Sequence, residues 1–246
     1  MSMNDNELLK KRLGELSHRA FERGFCTYSE FLNMDEISTA LGIKYPCPYL
    51  LFGGYDGAER CVIGFGDDIS AENFMICCVK IEPLQQKFAD SLSHRDFLGS
   101  LMSLGINRNT LGDIIIKTNC GYLFCLESIS NYITENLTRI KHTSVKCSIV
   151  SNSFELPTND PEEKEIVVSS LRADAVISAV YKLSRSQTDE LFNKELVFIN
   201  SRAVAKSSVL LKEDDIVSVR HKGRFIFCGE LRKTKKDRIV ISVKVF

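Results

Sequence analysis

The stretch Ser184-Arg185-Ser186-Gln187 has residue types and spacing that could form an anion-binding site at the start of a helix. Its Ser-x-x-Gln pattern is a capping box, which predicts that a helix begins here. Free backbone N–H groups and the positive end of the helix dipole at such a start favour an anion. An arginine in the first turn can hold a phosphate through two hydrogen bonds, and Arg172, one helix earlier, would add a second contact. The alternative is that Arg185 contacts only water, since capping boxes begin countless helices.

Two helices and several short strands are predicted to position this stretch. A first helix is predicted because its apolar residues share one helical face: Leu171, Ala175, Val176, Ala179, Val180 and Leu183. The second helix follows Ser184. Strands are predicted at residues 196–199 and 216–219, with a turn at Asn200-Ser201 and an acidic turn at 213–215 between them.

Charge is distributed unevenly along a chain whose formal net charge is zero. Residues 170–246 hold 16 lysines and arginines against 9 acidic residues, a net charge of +7, so residues 1–169 carry −7. A small domain with surplus positive charge is typical of a protein that binds a polyanion. The alternative is a basic surface that serves solubility.

Upstream, the patterns predict helices followed by a hairpin and a mixed region. Asn6 to Leu41 has helical spacing of apolar residues, broken near Gly24, and predicts two or three helices. Residues 49–52 and 61–65 flank a glycine-rich turn and predict a β-hairpin. The next elements follow the order β-α-β-β-α-β of a ferredoxin-like domain: strand 74–81, helix 94–104, strands 111–117 and 122–126, helix 127–137 and strand 144–150.

Tyr122 and Phe124 lie on one face of their predicted strand, where aromatic rings of RNA-binding sheets stack on bases. The full aromatic signature of such a strand is absent, so we favour core packing over base stacking.

The predicted organisation is α+β. Residues 151–164 are polar, contain two prolines and lack periodicity, which is typical of a linker. We therefore predict an N-terminal region of helices plus hairpin (1–73), a ferredoxin-like, RRM-like domain (74–150), a linker (151–168) and a C-terminal domain (169–246).

Enzymatic and metal chemistry is poorly supported. His94-Arg95-Asp96 resembles a kinase catalytic triplet, but Leu101 stands where the metal-binding Asn is needed. The four histidines and nine cysteines lack metal-ligand spacing, and no P-loop is present. The cluster at 94–96 has two open interpretations: Ser93 and Asp96 hold a helix start, or Arg95 contacts a phosphate.

The C-terminal residues resemble the S-four domain, the αL RNA-binding motif of a small-subunit ribosomal protein. The resemblance covers nearly all of residues 169–246 and rests on Leu171-Arg172-Ala173-Asp174, Leu183 to Gln187, Val197 to Asn200 and Glu213 to Arg220. Two departures stand out: Glu195 replaces the usual helix-ending glycine, and Leu196 and Phe198 occupy positions that are more often basic or polar.

The rest of the chain resembles the bacterial YlmH family. The residues that carry this likeness are Gly53-Gly54-Tyr55, Ala58-Glu59-Arg60, Ser93 to Gly99, Leu104-Gly105-Ile106, Arg108 and Gly112-Asp113-Ile114. The resemblance implies a non-enzymatic, ribosome-associated RNA-binding protein, linked to large subunits that carry peptidyl-tRNA, to ribosome quality control and to cell division. Alternatives are an RNA-modifying enzyme of the pseudouridine-synthase type, whose His-Arg-Leu-Asp stretch is incomplete here, and a cell-division scaffold.

We accordingly expect a cytoplasmic monomer that binds structured ribosomal or transfer RNA, with no membrane association, small-molecule substrate, cofactor or metal. No apolar run approaches the ~20 residues of a membrane span. The predicted RNA-binding residues are Arg172, Ser184, Arg185, Ser186, Gln187, Asn200, Lys206, Arg220 and Lys222. A second RNA or ribosome contact is predicted at Arg60, His94, Arg95 and Arg108.

Overall fold

A computed structural model describes residues 3–150 and 161–246 of the chain. The chain divides into two compact units, residues 1–157 and 158–246, called here the N-terminal and C-terminal units. Helices and antiparallel sheets occupy both, so the predicted α+β class is confirmed. Among the residues described, no helix combines the length and apolarity needed to cross a membrane.

Residues 3–65 form the predicted helices and hairpin, together with a short extra strand. The elements are α1 (Met3–Arg23), β1 (Thr27–Tyr28), α2 (Met34–Ala40), β2 (Tyr49–Phe52) and β3 (Val62–Phe65). Helix α2 begins where the side chain of Asn33 accepts hydrogen bonds from the backbone N–H groups of Asp35 and Glu36. The two helices and β3 bury one apolar cluster, which includes Leu13, Ile37 and Phe65.

Residues 76–150 form a second sheet with two helices. Its elements are β4 (Ile76–Pro83), α3 (His94–Ser103), β5 (Leu111–Lys117), β6 (Cys120–Leu126), α4 (Glu127–Asn136), β7 (Arg139–Ile140) and β8 (Thr143–Val150). Each strand and helix predicted here is present, and β7 is additional. Within these residues the strand order is β5-β6-β4-β8-β7, with every pair antiparallel. Buried side chains of the helices and strands share a core that includes Phe97 and Ile133.

Phe124, on β6, belongs to a different apolar cluster. Its ring is 3% exposed, stacks on Tyr55 with centroids 4.8 Å apart, and clusters with Phe31, Val62 and Phe74. A side chain on Gly54, whose φ is +99°, would collide with the Phe124 ring, so glycine allows the loop to lie against the sheet. The preference for core packing over base stacking is therefore confirmed at Phe124.

Residues 161–246 form the C-terminal unit. Its elements are β9 (Glu162–Val168), α5 (Ala173–Tyr181), α6 (Arg185–Asn193), β10 (Val197–Ile199), β11 (Arg202–Ala203), β12 (Asp215–Val219), β13 (Gly223–Lys233) and β14 (Ile239–Val245). Over this range the strands make one antiparallel sheet in the order β11-β10-β12-β13-β14-β9. Helix α5 contributes Val176 and Ile177 to the core against this sheet.

The predicted linker at 151–168 was wrong over its last seven residues, because Glu162–Val168 is strand β9. Its charged side chains are exposed at this edge of the sheet, and the apolar residues follow at 166–168. The strand pairs with β14 along its whole length, from Val168 opposite Ile239 to Glu162 opposite Val245. A polar sequence becomes a strand here because the partner supplies the ladder of hydrogen bonds. Residues 151–160 lie outside the described structure.

Glu195 takes a left-handed conformation, at the position after the second helix where the S-four domain usually has a glycine. Its φ is +53°, and the N–H groups of Glu195 and Leu196 close the end of α6 by donating to Phe192 and Leu191 at 3.0 and 2.9 Å. The chain therefore ends the helix in the usual way despite the β-carbon, at a cost in conformational energy.

Replacing Glu195 with glycine is expected to raise the free energy of unfolding by about 1 kcal/mol, because glycine adopts this φ without strain. The measurement is urea unfolding followed by circular dichroism. Glu190→Gly, inside the same helix, is the control and should lower stability by about 1 kcal/mol. Equal destabilisation by both changes would show that the conformation of Glu195 is not strained.

Candidate nucleic-acid interface

Arg172 and Arg185 line the same cleft in the C-terminal unit, called here the α6 cleft. The cleft has a volume of about 310 Å³ and lies between the residues that lead into α5, helix α5 itself and the first turns of α6. Asp174 and Asp189 line it as well. The structure thus brings the two predicted phosphate-binding arginines together, but with two carboxylates beside them.

Helix α6 begins with the predicted capping box. The Ser184 hydroxyl accepts a hydrogen bond from Gln187 N at 3.3 Å, and Gln187 Oε1 accepts one from Ser184 N at 2.9 Å. Ser186 Oγ lies 3.1 Å from Ser184 Oγ. Side chains of Arg185 and Ser186 are exposed, and no residue in the described part of the chain forms an ion pair with Arg185. The helix start therefore offers an anion site with an arginine at its first position.

Arg172 is engaged within the protein. Its Nε and Nη2 donate to the two carboxylate oxygens of Asp174 at 3.1 and 2.6 Å. This bidentate pair raises the pKa of Arg172, and the charge of Asp189 adds to the effect. Because Asp174 orients the guanidinium and offsets its charge, Arg185 is the better placed of the two arginines to meet a phosphate.

The other predicted residues of the C-terminal unit lie outside this cleft. Asn200 is used internally: its Nδ2 donates to Asp215 at 2.8 Å and its Oδ1 accepts from Ile216 N at 2.9 Å, which ties the turn after β10 to β12. Arg220 lies 5.6 Å from the ring centroid of the fully buried Phe198. Lys206 and Lys222 are exposed. Phe198, at a position that is often polar in the S-four domain, is therefore a core residue.

A basic hairpin tip was missed by the sequence reasoning. The last residue of β13 and the turn that follows it carry four exposed cations, Lys233, Lys235, Lys236 and Arg238, with one acidic residue, Asp237. The run of lysines and arginines was a visible signal. The sequence does not show that these cations form a hairpin tip, because the limits of the two strands that carry them are not marked by a clear pattern.

Two of the four residues predicted for the second contact meet in the N-terminal unit. Arg60 Nε and Arg108 Nη1 both donate to the carbonyl oxygen of Leu111, each at 2.8 Å. Arg60 Nη2 also donates to the carbonyls of Phe31 and Arg108, at 3.3 and 3.2 Å. Both guanidinium groups are half-buried, and burial lowers their pKa, to about 10 for Arg108.

Asp113 joins the loop before Arg60 to this region. Its carboxylate accepts from the Tyr55 hydroxyl at 2.9 Å and from the N–H groups of Glu59 and Arg60 at 2.7 and 3.2 Å. The residue was part of the family resemblance, but no role had been assigned to it. It fixes the glycine-rich loop over β5.

His94 and Arg95 begin helix α3. Desolvation lowers the pKa of His94, and the positive charge of Arg108 lowers it further while Asp113 opposes the change. Ser93 and Asp96 form the predicted cap, with Ser93 N and Oγ donating to Asp96 at 2.8 and 2.6 Å. Arg95 is exposed. The helix-start interpretation of this cluster is confirmed, and the contact by Arg95 stays a prediction.

Comparisons with known proteins give relatives of this chain. Residues 70–153 match the family profile described as "Putative RNA-binding domain in YlmH". The chain is 31% identical over 191 residues to the "Ribosome-associated protein quality control protein P2" of Bacillus subtilis (strain 168), which spans 76% of this chain and 73% of the relative. The solved "Cell division protein ylmH from Streptococcus pneumoniae" matches 61% of this chain and 93% of its own, with 19% identity and a TM-score of 0.47.

Proposed function

Because the chain belongs to the YlmH family, we propose that it is a non-enzymatic RNA-binding protein that associates with the large ribosomal subunit and takes part in ribosome quality control. The observation that carries the proposal is the cleft where Arg172 and Arg185 meet at a capped helix start, in a unit of net positive charge. The name of the Bacillus relative supports the ribosomal partner. Peptidyl-tRNA on a stalled large subunit would supply the structured RNA, and the protein would act in the cytoplasm.

We propose two RNA-binding-type domains. The strand order β5-β6-β4-β8, with α3 after β4 and α4 after β6, is that of a ferredoxin-like sheet and supports such a domain at residues 74–150. The two helices before a strand-rich half support an S-four domain at 169–246. Residues 1–73 then form the N-terminal region, and the linker is confined to the residues before β9.

The C-terminal unit recognises RNA by shape in this proposal. Arg185 and the first turn of α6 hold one phosphate, with Ser184, Ser186 and Gln187 as hydrogen-bonding neighbours. Arg172 completes the cleft after Asp174 has oriented it. Lys206, Arg220 and Lys222 add long-range attraction, as do the cations of the hairpin tip. Asn200 contributes by holding its turn.

The N-terminal unit is proposed to supply a second contact from the group of Arg60, His94, Arg95 and Arg108. It would use charge rather than base stacking at β6, because Phe124 is packed under Tyr55. Recognition of the phosphate backbone requires no exposed aromatic ring.

Sedimentation with ribosomes tests the proposed function. The purified full chain is expected to sediment with large subunits at low ionic strength, and progressively less as salt rises, because phosphate contacts release counterions. Sequencing of RNA that copurifies with the tagged protein should give ribosomal and transfer RNA, and nuclease should release the protein. Partners that survive nuclease treatment, with no RNA recovered, would instead indicate a protein scaffold and reject the proposal.

A further inference from the structure

Two guanidinium groups converge on one carbonyl oxygen in the N-terminal unit. Arg60 comes from the loop after β2, and Arg108 comes from the turn that precedes β5. Both donate to the Leu111 carbonyl, at 2.8 Å each. The positions of both side chains are therefore fixed by backbone atoms at the start of β5, as a preorganised binding site requires.

No carboxylate among the described residues forms an ion pair with either arginine. Glu36 and Asp113 are near enough to raise the pKa of Arg60 against the effect of burial, but Arg60 donates its described hydrogen bonds to backbone carbonyls and each carboxylate accepts from other donors. Asp113 accepts from Tyr55 and two backbone N–H groups, and Glu36 Oε2 accepts from Asn33 N at 2.7 Å. Half-buried charges normally have a charged partner, because carbonyl dipoles compensate for lost hydration incompletely.

Several guanidinium nitrogens have donors left for a ligand. Arg108 uses Nη1 for the carbonyls of Leu111 and Gly112, and neither its Nε nor its Nη2 donates to another residue in the described ranges. Arg60 likewise retains Nη1 after its contacts through Nε and Nη2. Both residues are partly exposed, and none of these nitrogens is among the fully buried, unpartnered polar atoms of the described residues, so each of them has contact with solvent.

We propose that Arg60 and Arg108 form a site for one phosphate group, and that, given the proposed RNA binding on which this step rests, the phosphate belongs to the RNA backbone. Guanidinium is the group best suited to this ligand, since its planar fork matches two phosphate oxygens. The site lies on the N-terminal unit and shares no residue with the α6 cleft.

The test uses Arg108→Gln in the full chain, with Arg19→Gln on the exposed face of α1 as a matched control. Arg108 is chosen because Arg60 makes more backbone contacts and its loss risks unfolding.

In the first arm, inorganic phosphate should raise the unfolding midpoint of the wild type and the control more than chloride does at equal ionic strength. Arg108→Gln should show a smaller extra shift than Arg19→Gln, and Arg108→Lys an intermediate one; the general stabilisation by phosphate and any binding at the α6 cleft are common to all the variants and cancel in this comparison. Each variant is compared with itself, so a lower starting stability does not affect the result.

In the second arm, binding of a double-stranded RNA oligonucleotide is measured over a range of salt concentrations. Arg108→Gln is expected to reduce the slope of log affinity against log salt by about 1, the loss of one phosphate contact. If Arg108→Gln changes the phosphate-dependent shift of the unfolding midpoint but not the salt dependence of RNA affinity, the phosphate site stands and RNA is rejected as the ligand that supplies the phosphate. Behaviour of Arg108→Gln like that of Arg19→Gln in both arms overturns the site. If RNA binding is lost on changing Arg185 but not on changing Arg108, the Arg60–Arg108 site is rejected as an RNA contact, while the proposed RNA binding by the protein stands.

Discussion

Arg185→Glu is expected to lower the affinity of the full chain for structured RNA about 10- to 100-fold, since a charge-assisted hydrogen bond contributes about 1.5–3 kcal/mol. The physical reason is that glutamate places a negative charge in the phosphate position at the start of α6, beside Asp174 and Asp189. Ribosome co-sedimentation and fluorescence anisotropy with an RNA oligonucleotide measure the loss. Stability should change little, because Arg185 is exposed at the first turn.

Lys194→Glu is the matched control for that experiment. It makes the same change in net charge at the opposite end of α6, where the side chain pairs with Glu190 at 2.6 Å on the surface. An exposed pair of this kind contributes a few tenths of a kcal/mol, so the control should fold. Equal losses of RNA affinity in both variants would indicate that only net charge matters and would remove the α6 cleft from the interface.

Asp113→Ala is expected to lower the free energy of unfolding of the N-terminal unit by about 3 kcal/mol, because three hydrogen bonds to its carboxylate are lost at about 1 kcal/mol each. Tyr55 and the backbone of Glu59 and Arg60 would be released from β5. The half-buried guanidinium groups would also lose a nearby negative charge. Urea unfolding followed by circular dichroism measures the effect.

Asp56→Ala is the control on the same loop. The Asp56 side chain is exposed and has no hydrogen bond or ion pair to a residue within the described ranges. Its removal should change the unfolding midpoint little, as for surface substitutions in general. A similarly small effect of Asp113→Ala would mean that the glycine-rich loop is held by the packing of Tyr55 on Phe124 and not by the carboxylate.

In the proposed function, the α6 cleft would balance attraction against specificity. The carboxylates of Asp174 and Asp189 reduce its net charge, so an isolated anion would gain little there, whereas an RNA whose shape also meets the outlying cations would gain from all of them. Because Asp174 holds the guanidinium of Arg172 in one orientation, less entropy would be lost on RNA binding.

Local sequence determined much of this protein. The capping boxes at Ser93 and Ser184 fixed the starts of α3 and α6, because a helix start depends on residues three positions apart. Apolar periodicity likewise predicts β4, β5, β6 and β8 within a few residues, since each of these strands buries one face, whereas the two-residue strand β7 is too short to show a period. The sequence also determines the surplus of positive charge in residues 170–246 and identifies Arg172 and Arg185 as candidate phosphate ligands.

Other features depended on which distant segments meet. The sequence of β9 is polar and predicts a linker. The segment is a strand because β14, more than 70 residues later, supplies its hydrogen-bonding partner. The pairing of Arg172 with Asp174 depends on side-chain geometry that spacing does not specify. The convergence of Arg60 and Arg108 on the Leu111 carbonyl arises only when the loop after β2 folds against β5. Sequence encodes periodicity and caps locally, whereas hydrogen bonds between remote segments are decided by tertiary packing.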